Sequence, residues 1–201
     1  MCRLALIDNK GIARVEREYG LENFLTYLER SFGGHGNGYA LIGNDGQIKT
    51  IRKGVDLTCE EIAADVLADL DSVKWLIFHT RLASCGNRTD ENCHPFYNPE
   101  NNTLLCANGT EWAVTRYARS IGSSMTDSEI VLSVLDGHSV RAFRADLRRW
   151  SSVLVGWHDG KVFAVRNCGS LQWLPGEGRI MASQFPPELG TPRKVNEFFE
   201  T

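Results

Sequence analysis

An α+β fold, with two antiparallel sheets carrying helices on their outer faces, is what this 201-residue sequence predicts. Three observations lead to it. Near the N-terminus the turn Asn44-Asp45-Gly46 joins two short strand-like runs, Tyr39 to Ile42 and Gln47 to Arg52. Near the C-terminus His158-Asp159-Gly160 joins Ser152 to Trp157 with Lys161 to Arg166 in the same way. Between the two hairpins lie four segments of helical character, the last three in direct succession.

Each element has its own local cause. Cys2 to Ile7 is continuously apolar apart from Arg3 and reads as a strand buried on both faces. Leu21, Phe24, Leu25 and Leu28 recur at helical spacing, and Gly33-Gly34 ends the helix at Phe32. Thr58 with Glu61 forms a capping box, which opens a helix whose apolar face is Ile62, Val66, Leu67 and Leu70. A strand from Lys74 to Phe78 delivers His79-Thr80-Arg81 at its end. Leu82 to Asn102 is polar, without periodicity, and reads as a functional loop. A strand Thr103 to Cys106 leads into Ala107-Asn108-Gly109. Helices follow at Trp112 to Ile121, at Asp127 to Leu135 behind the cap Thr126, and from about Ser139 to Trp150, and a last strand runs from Arg179 to Ser183. The five tryptophans, at 75, 112, 150, 157 and 173, read as core or core-edge residues.

Composition narrows the function classes. The length suits one substantial core, hence one domain over residues 1–201. Net charge is −3 with both signs interspersed, so nucleic acid and anionic membrane are poor partners. No apolar run approaches the ~20 residues of a membrane span and no export signal is evident, which makes the chain an expected cytoplasmic protein with reduced thiols. Cys85, Cys93, Cys106 and His94 invite a zinc hypothesis, but no C-x-x-C pair exists and the spacing does not support it; no metal or cofactor is expected.

Chemistry enters at residue 2. Removal of Met1 would put a thiol and a free α-amine on Cys2. With reference pKa values of about 8.5 and about 7.7–8.0, the amine can take the thiol's proton directly or through water.

An ordered set of short motifs then resembles one family, the class II or Ntn-type glutamine amidotransferase domains. Met1-Cys2-Arg3-Leu4 is similar to the family's start, and Gly36-Asn37-Gly38-Tyr39-Ala40 to its glycine-rich strand entry. His79-Thr80-Arg81-Leu82-Ala83-Ser84 resembles its H-T-R-x-A-T segment and is followed by Asn92-Cys93-His94-Pro95-Phe96. Asn108-Gly109 stands where the family has N-G, and Thr126-Asp127-Ser128-Glu129 where it has T-D-[ST]-E. Asp159 to Arg166 and Ala182-Ser183-Gln184 resemble motifs of its second sheet.

The resemblance implies a four-layer αββα Ntn-hydrolase sandwich and a division of labour. Cys2 would be the nucleophile, with Asn108 and Gly109 as the oxyanion hole, although an Asn-Gly pair by itself reads as a plain turn. Arg81 and Ser84 would meet the α-carboxylate of glutamine, and Asp127 its α-ammonium. Cys85 replaces a histidine common in the family's closing loop, while His94 and His79 read as structural. The implied reaction is hydrolysis of the glutamine side-chain amide through a γ-glutamyl thioester on Cys2. The ammonia would pass to a separate synthase subunit, since the 201 residues leave no room for a synthase domain after the glutaminase core. Two other readings stay open: an independent Ntn amidohydrolase acting on a γ-glutamyl or related amide, and a non-catalytic binding or regulatory module.

Overall fold

The computed structural model describes residues 2–84, 86–135 and 140–200. Met1, Cys85 and Ser139, on which the expected processing, the loop substitution and the start of the third central helix fall, lie outside the described residues.

The chain begins with strand β1 (Arg3–Asp8) and passes through helices α1 (Asn9–Glu18) and α2 (Leu21–Phe32) to the hairpin β2 (Asn37–Gly43) and β3 (Ile48–Gly54). Helix α3 (Cys59–Ala68) and a short 3₁₀ turn lead to β4 (Val73–Thr80). Then come β5 (Phe96–Asn98), β6 (Thr103–Asn108), α4 (Trp112–Ser120), α5 (Asp127–Ser133) and α6 (Val140–Leu147). The C-terminal part contains β7 (Val153–His158), β8 (Lys161–Arg166), β9 (Gln172–Leu174), β10 (Ile180–Ala182), β11 (Arg193–Lys194) and β12 (Glu197–Phe199).

Seven strands form one antiparallel sheet in the order β11-β9-β10-β1-β4-β2-β3, and five form the other in the order β12-β8-β7-β6-β5. Strand alternation then builds the layers. Leu4 and Leu6 of β1 and Trp75 and Ile77 of β4 face Leu104, Cys106, Val155 and Trp157 across the inter-sheet core. The alternate residues Ala5, Ile7, Leu76 and Phe78 face the other way, onto α1, α2 and α3. Leu105, Leu154 and Phe163 carry α5 and α6 on the outer face of the second sheet. The architecture is therefore the four-layer αββα sandwich.

Several expectations need correction. Helix α1 is not evident in the sequence because its buried face is only Gly11, Ile12 and Val15. Gly11 is needed there: a Cβ would lie 2.8 Å from Ile180 Cγ1. The expected loop 82–102 contains a strand, β5, which pairs with β6 through Phe96↔Leu105. Strands β9, β11 and β12 are two or three residues long and carry no alternation to read. Trp112 is not a core residue; it is 61% exposed on α4, whose buried residues are only Thr115 and Ala118.

Candidate active site

The centre of the larger sheet positions Cys2. Strand β1 lies between β10 and β4, with Arg3 opposite Thr80 and Leu4 opposite His79. Cys2 therefore sits beside the segment that leaves β4. Its Sγ accepts a hydrogen bond from the Leu82 N–H at 3.3 Å and lies 3.6 Å from the Leu82 carbonyl. On the opposite side, the Ser183 hydroxyl accepts from the Leu4 N–H at 3.1 Å, and Arg3 Nε donates to Gln184 Oε1 at 3.2 Å. The Ala182-Ser183-Gln184 motif thus clasps the start of β1.

Cys2 is buried, and burial pushes its thiol above the ordinary range, because the thiolate loses hydration. The Leu82 hydrogen bond and the Arg81 charge oppose that shift, while the Asp127 charge adds to it. Both ions act on the sulfur, so the two residues assigned to the ends of a glutamine molecule share the electrostatic environment of Cys2.

Arg81 is 3% exposed; its backbone N–H donates to the Gly36 carbonyl, and its carbonyl accepts from the His35 N–H. The guanidinium donates to the Asn87 carbonyl at 2.7 Å and to the Gly86 carbonyl at 3.4 Å, drawing the following loop around itself. The glycine-rich strand entry exists for this loop. Gly36 has φ +125°, and a Cβ on Gly38 would stand 2.0 Å from the His94 carbonyl oxygen, so only glycine admits the backbone.

Asn108 ends β6 and is 3% exposed, and its side-chain oxygen has no hydrogen-bond partner among the described residues. Two contacts join the elements on either side of it to β4 and the segment that follows β4. His79 Nε2 lies 3.1 Å from the Ala107 carbonyl, linking β4 to β6 between the sheets. Ser84 Oγ lies 2.9 Å from Thr110 Oγ1, joining the segment after β4 to the segment after β6. Gly109 fits because a Cβ there would be 2.3 Å from Ser152 Oγ and 2.9 Å from Ser152 Cα.

Asp127 is the first residue of α5, set by the Thr126 cap and its reciprocal bond with Glu129. Its Oδ2 accepts from the Glu111 N–H at 2.7 Å, and Ser152 Oγ donates to Glu111 Oε1 at 2.7 Å. Glu111 and Ser152 have no role in the sequence reading, although they link Asp127 to the residue that packs against Gly109. Neither carries a motif signal; the proximity of Glu111 to Asn108-Gly109 is the only clue.

His79 and His94 are both buried, their rings 4.0 Å apart. Burial lowers the His79 pKa to about 3 and pushes His94 well below its ordinary value, so both imidazoles are neutral. Among the described residues, no group of three or more His, Cys, Asp or Glu side chains is arranged to hold a metal ion. No described helix is long and apolar enough to cross a membrane.

Comparison with solved structures supports the fold. The chain is similar to glutamine phosphoribosylpyrophosphate amidotransferase from B. subtilis, with TM-score 0.60 and 17% identity over 91% of this chain and 42% of that one. It is also similar to a protein described as the allosteric regulatory enzyme of purine biosynthesis, with TM-score 0.59 and 18% identity over 98% of this chain and 45% of that one. This chain thus spans less than half the length of either protein. A glutamine aminotransferase class-II domain protein from Silicibacter pomeroyi aligns at TM-score 0.48 and 12% identity, over 90% of this chain and 88% of that one. No protein-family model matches the sequence, and no curated protein does.

Proposed function

We propose that residues 1–201 form a single class II glutaminase domain that hydrolyses the side-chain amide of glutamine and supplies ammonia to a synthase site on a separate subunit. The observation that carries this reading is the convergence on Cys2: a buried thiol at the start of the central strand, under the influence of one buried cation, Arg81, and one buried anion, Asp127. Free glutamine has one charge of each sign on its α-carbon, and a pocket selective for it needs both. The shared fold with amidotransferases supports the same reading.

In this mechanism Met1 is removed and the α-amine of Cys2 takes the thiol proton. The thiolate attacks the side-chain carbonyl, and the side-chain amide of Asn108 and the Gly109 N–H hold the oxyanion. The protonated amine returns its proton to the departing nitrogen, which leaves as ammonia. Water then attacks the γ-glutamyl thioester, releasing glutamate and restoring the thiol. Arg81 and Ser84 bind the α-carboxylate, and a carboxylate would compete with the Asn87 and Gly86 carbonyls for the Arg81 fork. Asp127 binds the α-ammonium while Glu111 keeps its carboxylate oriented. Ammonia freed into neutral water would protonate and lose its nucleophilicity, which is the reason to invoke a synthase partner.

The deciding experiment uses an electrophilic glutamine analogue. One γ-acyl group should add to the protein and map to Cys2, with no addition to Cys2→Ala, and intact mass should show Met1 absent from the labelled species. Labelling elsewhere, or turnover by protein that retains Met1, would overturn the mechanism. Glutamine hydrolysis that needs an added partner protein supports the subunit role; hydrolysis of another γ-glutamyl amide in preference to glutamine would favour an independent amidohydrolase.

A further inference from the structure

At the far end of β1 from Cys2 the sandwich opens into a cleft of about 480 Å³. Met181 and Ile180 of its wall pair with Leu6 and Ile7, some four or five residues along β1 from Cys2. At ~3.3 Å per residue that is roughly 13–16 Å, so the cleft is separate from the candidate active site. The chain crosses from β11 on one sheet to β12 on the other through Val195 and Asn196, and the cleft lies along this crossover.

The lining has a definite character. Met181 belongs to the inter-sheet core, and Trp173 and Phe198 pack against that core while remaining partly accessible. Apolar surface of this kind in a cleft is unfavourable to leave wet. Around it stand cations: the Arg179 guanidinium is 5.3 Å from the Phe198 ring centroid, and Lys194 lines the same cleft. Among the described residues no carboxylate pairs with Arg179 or Lys194. The one carboxylate in the lining, Glu197, is already held by Arg148, whose Nη2 donates to its two oxygens at 2.9 and 2.8 Å. The cleft therefore combines two aromatic rings, a thioether and two unneutralised positive charges.

We propose that this cleft is a binding site for a small organic carboxylate with a flat apolar body, its ring system against Trp173 and Phe198 and its carboxylate towards Arg179 and Lys194. The volume suits a ligand of about two fused rings. The site is independent of glutamine hydrolysis, since neither Cys2 nor its partners line it.

The test uses 2-naphthoate as probe and its neutral analogue 2-naphthamide, titrated calorimetrically into the full chain. The expected result is saturable one-to-one binding of the carboxylate, with the amide about fivefold or more weaker, as expected for charge-assisted contacts discounted for exposure. The indole N–H resonance of Trp173, assigned with Trp173→Phe, should shift on binding. R179Q and K194Q, both at exposed positions, should each weaken the carboxylate by about threefold with unchanged circular dichroism. If R179Q fails to fold, K194Q decides. Cys2→Ala should bind the probe as the wild type does, which separates this site from the glutaminase reading. Absence of saturable binding, equal affinity for acid and amide, or folded charge variants that bind like the wild type would each overturn the proposal.

Discussion

His79 and His94 lie ring against ring, 4.0 Å between centroids and 38° apart, in the buried region that connects strand β4 to the long loop. His79 Nε2 meets the Ala107 carbonyl, while His79 Nδ1 and both His94 nitrogens have no partner among the described residues. Burial, with the charges of Arg81 on both rings and of Lys53 on His94, keeps the pair neutral.

Acid should therefore destabilise the fold through this pair. The folded pKa values are depressed, so below the ordinary value of about 6.5 the unfolded chain binds protons that the folded chain refuses. The contribution is fully present above pH ~6.5 and is lost as pH falls, down to about pH 3 for His79. The maximal slope is about 1.4 kcal/mol per pH unit for each ring. Chemical denaturation between pH 7 and pH 5 should show it, and His94→Leu should flatten the slope; an unchanged slope would remove His94 from the account.

Gly109→Ala should fail at two levels. The added methyl meets Ser152 at 2.3–2.9 Å, including backbone, and should cost about 1–3 kcal/mol of stability while shifting the Asn108-Gly109 backbone. Glutamine turnover, normalised to folded protein, should drop about 100-fold or more, of the order seen when one oxyanion donor is displaced. Pairing it with Ser152→Gly should restore part of the stability. Full activity in the single variant would show that the Gly109 N–H is not used.

Asp127→Asn separates binding from folding. The Glu111 N–H can still donate to the remaining side-chain oxygen, so melting temperature should change little. Loss of the charge should raise KM for glutamine about tenfold or more with a smaller effect on kcat, since a charge-assisted hydrogen bond is worth about 1.5–3 kcal/mol. A pure kcat effect would assign Asp127 a different role.

Thr126→Ala removes the cap that places Asp127. Its hydroxyl accepts from the Glu129 N–H at 3.2 Å, and loss of such a cap costs about 1 kcal/mol. Thermal unfolding should register this, and KM should rise because α5 begins at Asp127.

Alkylation of Cys2 gives a direct view of its environment. In protein retaining Met1, burial raises the thiol, so the half-maximal alkylation rate should fall above pH ~8.5, the ordinary thiol value. Arg81→Gln removes a stabilising positive charge and should move the midpoint higher still. A midpoint below the ordinary value would contradict the dominance of burial.

What was legible in the sequence was local or carried by motif order. Thr58 and Thr126 cap helices because their bonds reach only three residues along the chain. The two Asp-Gly hairpins form because their turns set their own register. Cys2, Arg81, Asn108 and Asp127 could be named one by one, but nothing in their spacing says how the elements that carry them pack. That packing depends on β1 lying between β10 and β4, and on the His79–Ala107 and Ser84–Thr110 contacts that join the segments of the two sheets. The tertiary structure also decided that Trp112 stays exposed, that α1 rests on three residues, and that Glu111 links Asp127 to Ser152, which packs against Gly109. Patterns of apolar residues report which face of an element is buried; they do not report which distant element covers it, and that pairing is what positions the residues of the candidate site.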